Sequence, residues 1–204
     1  MNLKYLLVLL IVILVVFDTS KKIKETLLIQ SDTILAMGDS LTYGYGASST
    51  QSYPSKLSTL TGLHVINAGV NGETSSEGLK RLNKVLEDHS IKLMLLCFGG
   101  NDIIQRKSMQ ALKSNLKEMI HIAKAKKIKV LLISVPNVSL FGLSPLSLYE
   151  EIADEENIPL ASGILSDILG NPSYKSDQIH PNALGYKLMA EKVYVSLKDE
   201  GFVD

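Results

Sequence analysis

The sequence predicts a single α/β domain, a mostly parallel sheet covered by helices on both faces, and three observations predict it. Short apolar runs alternate with segments of helical periodicity from Thr33 to Lys198, the pattern of strands joined by crossover helices. Each loop that leaves a strand carries glycine or polar residues, as expected where such strands deliver ligand-binding groups to one rim. A length of 204 residues with 46% hydrophobic composition suits one domain with a substantial core.

Strands are expected at Thr33 to Met37, His64 to Asn67, Ile91 to Phe98, Lys129 to Ser134 and a short Ile158 to Leu160. Helices are expected between them at about Pro54 to Leu60, Ser76 to Asp88, Ser108 to Lys126 and Ser147 to Glu156, with a last one from Asn182 to Lys198. Pro54 fits a first helical turn, and Gly62 fits the left-handed position just past a helix end. Cys97, the only cysteine, sits in the apolar run Leu93 to Phe98. It cannot form an internal disulfide and reads as a buried core thiol. The run Lys124-Ala125-Lys126-Lys127 reads as a solvated helix end whose charge complements the dipole.

One block stands outside this alternation. Tyr5 to Phe17 is apolar all round, unlike an amphipathic core helix, with Lys4 before it and Lys21, Lys22 and Lys24 after it. Its thirteen residues would cover ~20 Å as a helix against ~30 Å of bilayer hydrocarbon, which suits a signal-peptide core. No good small-x-small cleavage site follows Phe17, so a removed signal and an uncleaved anchor both stay open. Either implies export, to the periplasm or the membrane. Residues 1–22 are thus read as signal peptide or anchor, and residues 23–204 as the folded domain. With 21 basic and 21 acidic residues and no basic stripe, the chain has no footprint for nucleic acid.

Three islands carry chemistry: Gly38-Asp39-Ser40-Leu41, Gly99-Gly100-Asn101-Asp102 and Asp177-Gln178-Ile179-His180-Pro181. A serine hydroxyl attacks weakly unless a base takes its proton and fixed dipoles receive the charge on the carbonyl oxygen, so acyl transfer needs a nucleophile, a base and oxyanion donors together. Ser40 follows the first strand, where its hydroxyl projects and its N–H is free to donate. Gly72 follows the second strand and lets its amide come close to a reacting carbonyl. Asn101 follows the third and offers a side-chain NH₂. His180 is the candidate base, because Pro181 stiffens its loop and Asp177, three residues earlier, can meet the imidazole and hold its tautomer. His64, His89 and His121 lack such company. No pair of histidines has ligand-like spacing and no Cys cluster exists, so metal binding is poorly supported.

In these blocks the chain resembles the SGNH (GDSL) hydrolases: Gly38-Asp39-Ser40-Leu41 for the first, Gly72 for the second, Gly99-Gly100-Asn101-Asp102 for the third and Asp177-Gln178-Ile179-His180-Pro181 for the last. It looks most like the arylesterase and multifunctional acyl-CoA thioesterase/lysophospholipase branch, across Asp32 to Leu197. The resemblance implies a flavodoxin-like three-layer α/β/α fold, Ser40 as nucleophile, Gly72 and Asn101 as oxyanion donors, His180 as base and Asp177 as its partner. It also implies no metal or organic cofactor, frequent residence in the periplasm, and a small-molecule or lipid acyl ester as substrate.

The segment from Pro136 to Leu146 does not obviously repeat the branch's substrate-loop pattern. It is apolar for a connection, with Val138, Leu140, Phe141, Leu143 and Leu146, and is read either as the wall of an acyl groove or as packing onto the sheet. Tyr43 and Tyr45 are read in the same two ways. A carbohydrate O-acetyl esterase using the same apparatus and a noncatalytic envelope binding module stay open as alternatives.

Overall fold

The computed structural model describes residue 5 and residues 27–87, 90–139 and 142–204. The apolar block at 5–17 beyond Tyr5, along with His89, Leu140 and Phe141, lies outside the described residues. In chain order the elements are β1 (Thr33–Gly38), α1 (Ser40–Tyr43), α2 (Tyr53–Thr61), β2 (His64–Gly69), α3 (Ser75–Val85), β3 (Ile91–Cys97), α4 (Gly100–Ile104) and α5 (Met109–Ala125). There follow β4 (Lys129–Ile133), β5 (Pro136–Ser139), β6 (Gly142–Pro145), α6 (Ser147–Glu156), β7 (Leu160–Ala161), α7 (Ile164–Gly170) and α8 (Ala183–Asp199).

The central sheet has the order β2-β1-β3-β4-β7 and every pairing in it is parallel. Each parallel neighbour needs a crossover, and the crossovers are right-handed by default. Strand order runs one way from β1 to β2 and then the other way through β3, β4 and β7. The helices therefore fall on two faces, α2 packing with α8 on one, and α3 with α5 and α5 with α6 on the other. The expected three-layer α/β/α architecture is what the chain adopts. The direction of strand order reverses beside β1, at the β1/β3 gap, where sheets of this kind bind ligands beyond the strand ends.

Burial explains which strands sit where. β1 is buried along its whole length, and Leu93 to Phe98 of and just past β3 are completely buried, as strands covered on both faces must be. Each such leucine contributes roughly 1.5–3 kcal/mol relative to exposure. β2, with His64 and Asn67, forms the exposed edge. Cys97 is buried and free. Pro54 lies in the first turn of α2, and Gly62 ends that helix at φ 70°.

Two findings differ from the sequence reading. The segment after β4 is a β-hairpin, β5 paired antiparallel with β6, with Val138 opposite Leu143; Pro136 and Pro145 at its ends obscure so short an alternation. Ile164–Gly170 is a helix whose Ile164, Leu165, Ile168 and Leu169 are buried, a periodicity legible in principle over only two turns. Residues 124–127 are exposed at the end of α5 with Lys124 in its last turn, as read from the sequence; Lys124 also donates to the Glu156 carbonyl, and α5 is laced to α6 by Lys113 with Glu151 (2.9 Å) and Lys117 with Glu155 (2.9 Å). Among the described residues no helix is long and apolar enough to cross a membrane.

Candidate active site

Strand β1 ends at Gly38, where the backbone is packed too closely for any side chain: a Cβ there would run into the Thr42 side chain and the Cys97 carbonyl. Asp39 then caps α1, its Oδ1 accepting the Leu41 N–H at 2.9 Å. That cap makes Ser40 the first residue of a helical turn at the strand's end.

His180 comes to Ser40 from the loop before α8. Asp177 folds that loop on itself, its Oδ1 accepting the N–H groups of Ile179 (2.8 Å) and His180 (2.9 Å), the local bonding at which aspartate excels. Asn182 caps α8 through the N–H groups of Leu184 and Gly185 and reaches back to the Ser173 carbonyl at 2.9 Å. Asp177 Oδ2 lies 2.8 Å from His180 Nδ1, and His180 Nε2 lies 3.0 Å from Ser40 Oγ. Burial by itself would raise the Asp177 carboxyl, but the Ile179 N–H, the imidazole and the His180 N–H outweigh it and hold it below the usual carboxylate range. An ionised carboxylate only accepts, so Nδ1 carries the ring proton and donates to Asp177. Nε2 of the neutral ring then accepts from the Ser40 hydroxyl. The Tyr45 ring packs against the imidazole at 4.6 Å between centroids, and the Tyr186 hydroxyl donates to the Tyr45 carbonyl at 2.8 Å.

Asn101 belongs to α4, which starts after Gly99 at φ 133°; a Cβ on Gly99 would meet the Tyr149 hydroxyl, which itself donates to the Phe98 carbonyl at 2.6 Å. Asn101 Nδ2 donates to the Glu73 carbonyl at 3.0 Å and, at a longer 3.3 Å, to Asp39 Oδ2. Gly72 sits one residue before Glu73 in the loop after β2, at φ 77°, exposed, and its N–H meets no acceptor among the described residues. Asp102 is buried and braces that same loop, accepting from the Ser75 N–H (2.9 Å) and hydroxyl (2.6 Å).

A cleft opens over these groups. Ser40, Asn101 and His180 line it, and so do the apolar side chains of Ile103, Ile104, Val135, Leu143, Leu169 and Ile179. Of the sequence-read substrate contacts, Leu143 lines the cleft. Tyr43 is exposed and stands outside its lining, while Leu140 and Phe141 fall outside the described residues. Sequence reading passed over Ile103 and Ile104, although an apolar pair directly after Asn101-Asp102 is a usable signal; Ile103 is half-buried and Ile104 exposed. It also passed over Asp39 as a buried carboxyl. Burial pushes Asp39 up to about 7, with the nearby Asp102 and Glu73 charges adding to the rise against the Leu41 N–H. Among the described residues no group of three His, Cys, Asp or Glu side chains is arranged to hold a metal ion.

A hydroxyl hydrogen-bonded to a carboxylate-backed imidazole, in a cleft at the carboxyl rim of a parallel sheet, is the equipment of a serine hydrolase. Comparison with known proteins agrees, and this chain is an ester-hydrolysing enzyme of that class. It belongs to the GDSL-like Lipase/Acylhydrolase family, whose profile matches residues 36–188. It is 30% identical over 159 residues to thioesterase 1/protease 1/lysophospholipase L1 of Escherichia coli (strain K12), covering 74% of this chain and 76% of that one. To the arylesterase of Vibrio mimicus it is 28% identical over 173 residues, 80% of this chain and 86% of the relative. Among solved structures, the psychrotrophic esterase EstA from Pseudoalteromonas sp. superposes with a TM-score of 0.74 at 25% identity, over 83% of this chain and 98% of that one. The family and branch resemblance read from the sequence is borne out.

Proposed function

We propose that the chain hydrolyses carboxylic esters and thioesters of apolar acyl groups, such as aryl esters, acyl-CoA or lysophospholipids, with Ser40 as nucleophile, His180 as base and Asp177 as its partner. The observation that carries this reading is the 3.0 Å contact of Ser40 Oγ with His180 Nε2, backed at 2.8 Å by Asp177 on the other ring nitrogen.

Ser40 Oγ attacks the carbonyl carbon while its proton passes to Nε2, and the charge on the carbonyl oxygen is received by the Ser40 N–H, the Gly72 N–H and the Asn101 NH₂. His180 returns the proton to the departing alcohol or thiol as the carbon–oxygen or carbon–sulfur bond breaks. Water, activated by the same ring, then releases the acid from the acyl-serine. Loss of one oxyanion donor typically costs about 2.7–4 kcal/mol of barrier. The longer Asp39 contact of Asn101 is the one that yields when a substrate oxygen arrives.

The apolar walls of the cleft support an acyl chain rather than an acetylated sugar, each buried CH₂ adding roughly 0.8 kcal/mol to binding. The test pairs Ser40→Ala with a p-nitrophenyl ester series. Turnover is expected to vanish in the variant, and kcat/KM to rise with chain length in the native protein. Retention of more than about a tenth of the activity refutes Ser40 as nucleophile. A flat series from acetyl to decanoyl removes the acyl groove and favours the carbohydrate esterase.

The apolar residues 5–17 between lysines support export, with the domain released to the periplasm or held at the membrane. Mass spectrometry of the isolated protein's amino terminus distinguishes these two fates, and recovery from the cytoplasm with Met1 intact refutes both.

A further inference from the structure

We infer that Arg81 is a positioning residue for the oxyanion donors, acting through Glu73 on both Asn101 and Gly72; the inference rests on the donor assignment proposed above. Arg81 projects from α3 and forks onto Glu73, with Nε donating to Oε1 at 2.6 Å and Nη2 to Oε2 at 2.5 Å. The same Nη2 donates to the Ala68 carbonyl at 2.7 Å and reaches the Gly38 carbonyl at 3.4 Å. One guanidinium thereby joins the end of β2, the last residue of β1 and the loop that follows β2. Glu73 is 8% exposed, and a carboxylate so far out of water depends on this partner to hold its place.

What the site uses is the backbone of that loop. The Glu73 carbonyl accepts one of the two Asn101 Nδ2 hydrogens, and because the amide group is planar, fixing one hydrogen fixes the direction of the other. The Gly72 N–H is one residue away along the same chain. Asp102 secures the loop at Ser75, and Arg81 secures it at Glu73, between that anchor and β2. Arginine suits the task because its planar fork meets a carboxylate in two places while still reaching a carbonyl, which the compact ammonium of a lysine cannot do at once.

A double-mutant cycle on the purified full-length chain tests this, with p-nitrophenyl butyrate as substrate and the variants R81A, R81K and N101A together with R81A/N101A and R81K/N101A. Thermal midpoints are recorded alongside kcat and KM. R81A is expected to lower kcat about 10- to 100-fold with KM within about twofold, because misaligned donors weaken the transition state and leave ground-state binding alone. R81K is expected to fall between R81A and the native enzyme. In the N101A background each Arg81 substitution should cost clearly less than in the native background, since one of the two donors it aims is gone and only the Gly72 N–H remains. Equal losses in both backgrounds, a loss carried by KM, or native kcat in R81A and R81K overturns the inference. If R81A does not fold, the R81K pair decides by the same criteria. N101A with native kcat overturns the donor assignment and the inference with it, whereas an impaired N101A with additive Arg81 losses overturns the inference alone.

Discussion

The Asp39→Asn variant should change the pH dependence of stability in a direction fixed by the site's electrostatics. Asp39 is 1% exposed and accepts from Leu41 and Asn101, and burial lifts its carboxyl to about 7 from the ordinary 3.8. Between those values the folded chain keeps a proton that the unfolded chain has given up. Stability therefore falls as pH rises, at about 1.36 kcal/mol per pH unit, and levels off above about 7. From pH 5 to pH 8 this one group should cost the native protein about 3 kcal/mol. Asparagine retains the Oδ1 that accepts the Leu41 N–H and cannot ionise. It sets an NH₂ against the Asn101 amide, but that penalty is the same at both pH values and cancels in the comparison. Urea unfolding of both proteins at pH 5 and pH 8 gives the difference. The native-minus-variant stability should shift by about 3 kcal/mol in favour of the variant at pH 8. A shift below about 0.5 kcal/mol would refute the claim that Asp39 stays protonated into the neutral range.

Asp177→Asn is expected to lower kcat by about 10⁴ with little change in thermal midpoint, since the amide permits the wrong imidazole tautomer while the loop survives; native kcat would separate Asp177 from the proton relay. Because the Asp177 carboxyl is held below its ordinary value, its own contribution to stability is fully present at neutral pH and is lost as pH falls from the ordinary carboxylate range through the lower folded value. Gly99→Ala should destabilise by about 1–3 kcal/mol from backbone strain at φ 133°, and by more if Tyr149 is displaced; an unchanged midpoint in thermal unfolding would show that the turn accommodates a side chain.

Much of this architecture was legible because the signals were local. The central strands β1 and β3 are buried on both faces and so are nearly continuous in hydrophobicity, and Ser147–Glu156 and its partner helices repeat at helical spacing. The hairpin and Ile164–Gly170 were not, since four-residue strands ending in proline and a two-turn helix carry too few positions for a period to register. Within the site, Ser40, Gly72, Asn101, Asp177 and His180 stand out by residue type after strands or before a helix. Arg81 and Glu73 do not. An arginine eight residues after a glutamate looks like any surface pair, and only the burial of Glu73 and the turn of the loop beneath it make the contact meaningful.

The β5–β6 hairpin forms its own two-stranded sheet and, among the described residues, shares no ladder with the five central strands. Pro136 and Leu143 on it face the cleft, while Ser40, Asn101 and His180 are carried by the central framework and the loop before α8. One wall of the cleft thus comes from a separately bonded piece of backbone, while Ile103, Ile104, Leu169 and Ile179 complete the lining from the rest of the domain. Substitutions at Pro136 or Leu143 therefore reshape that wall without altering the strands from which Ser40 and Asn101 emerge.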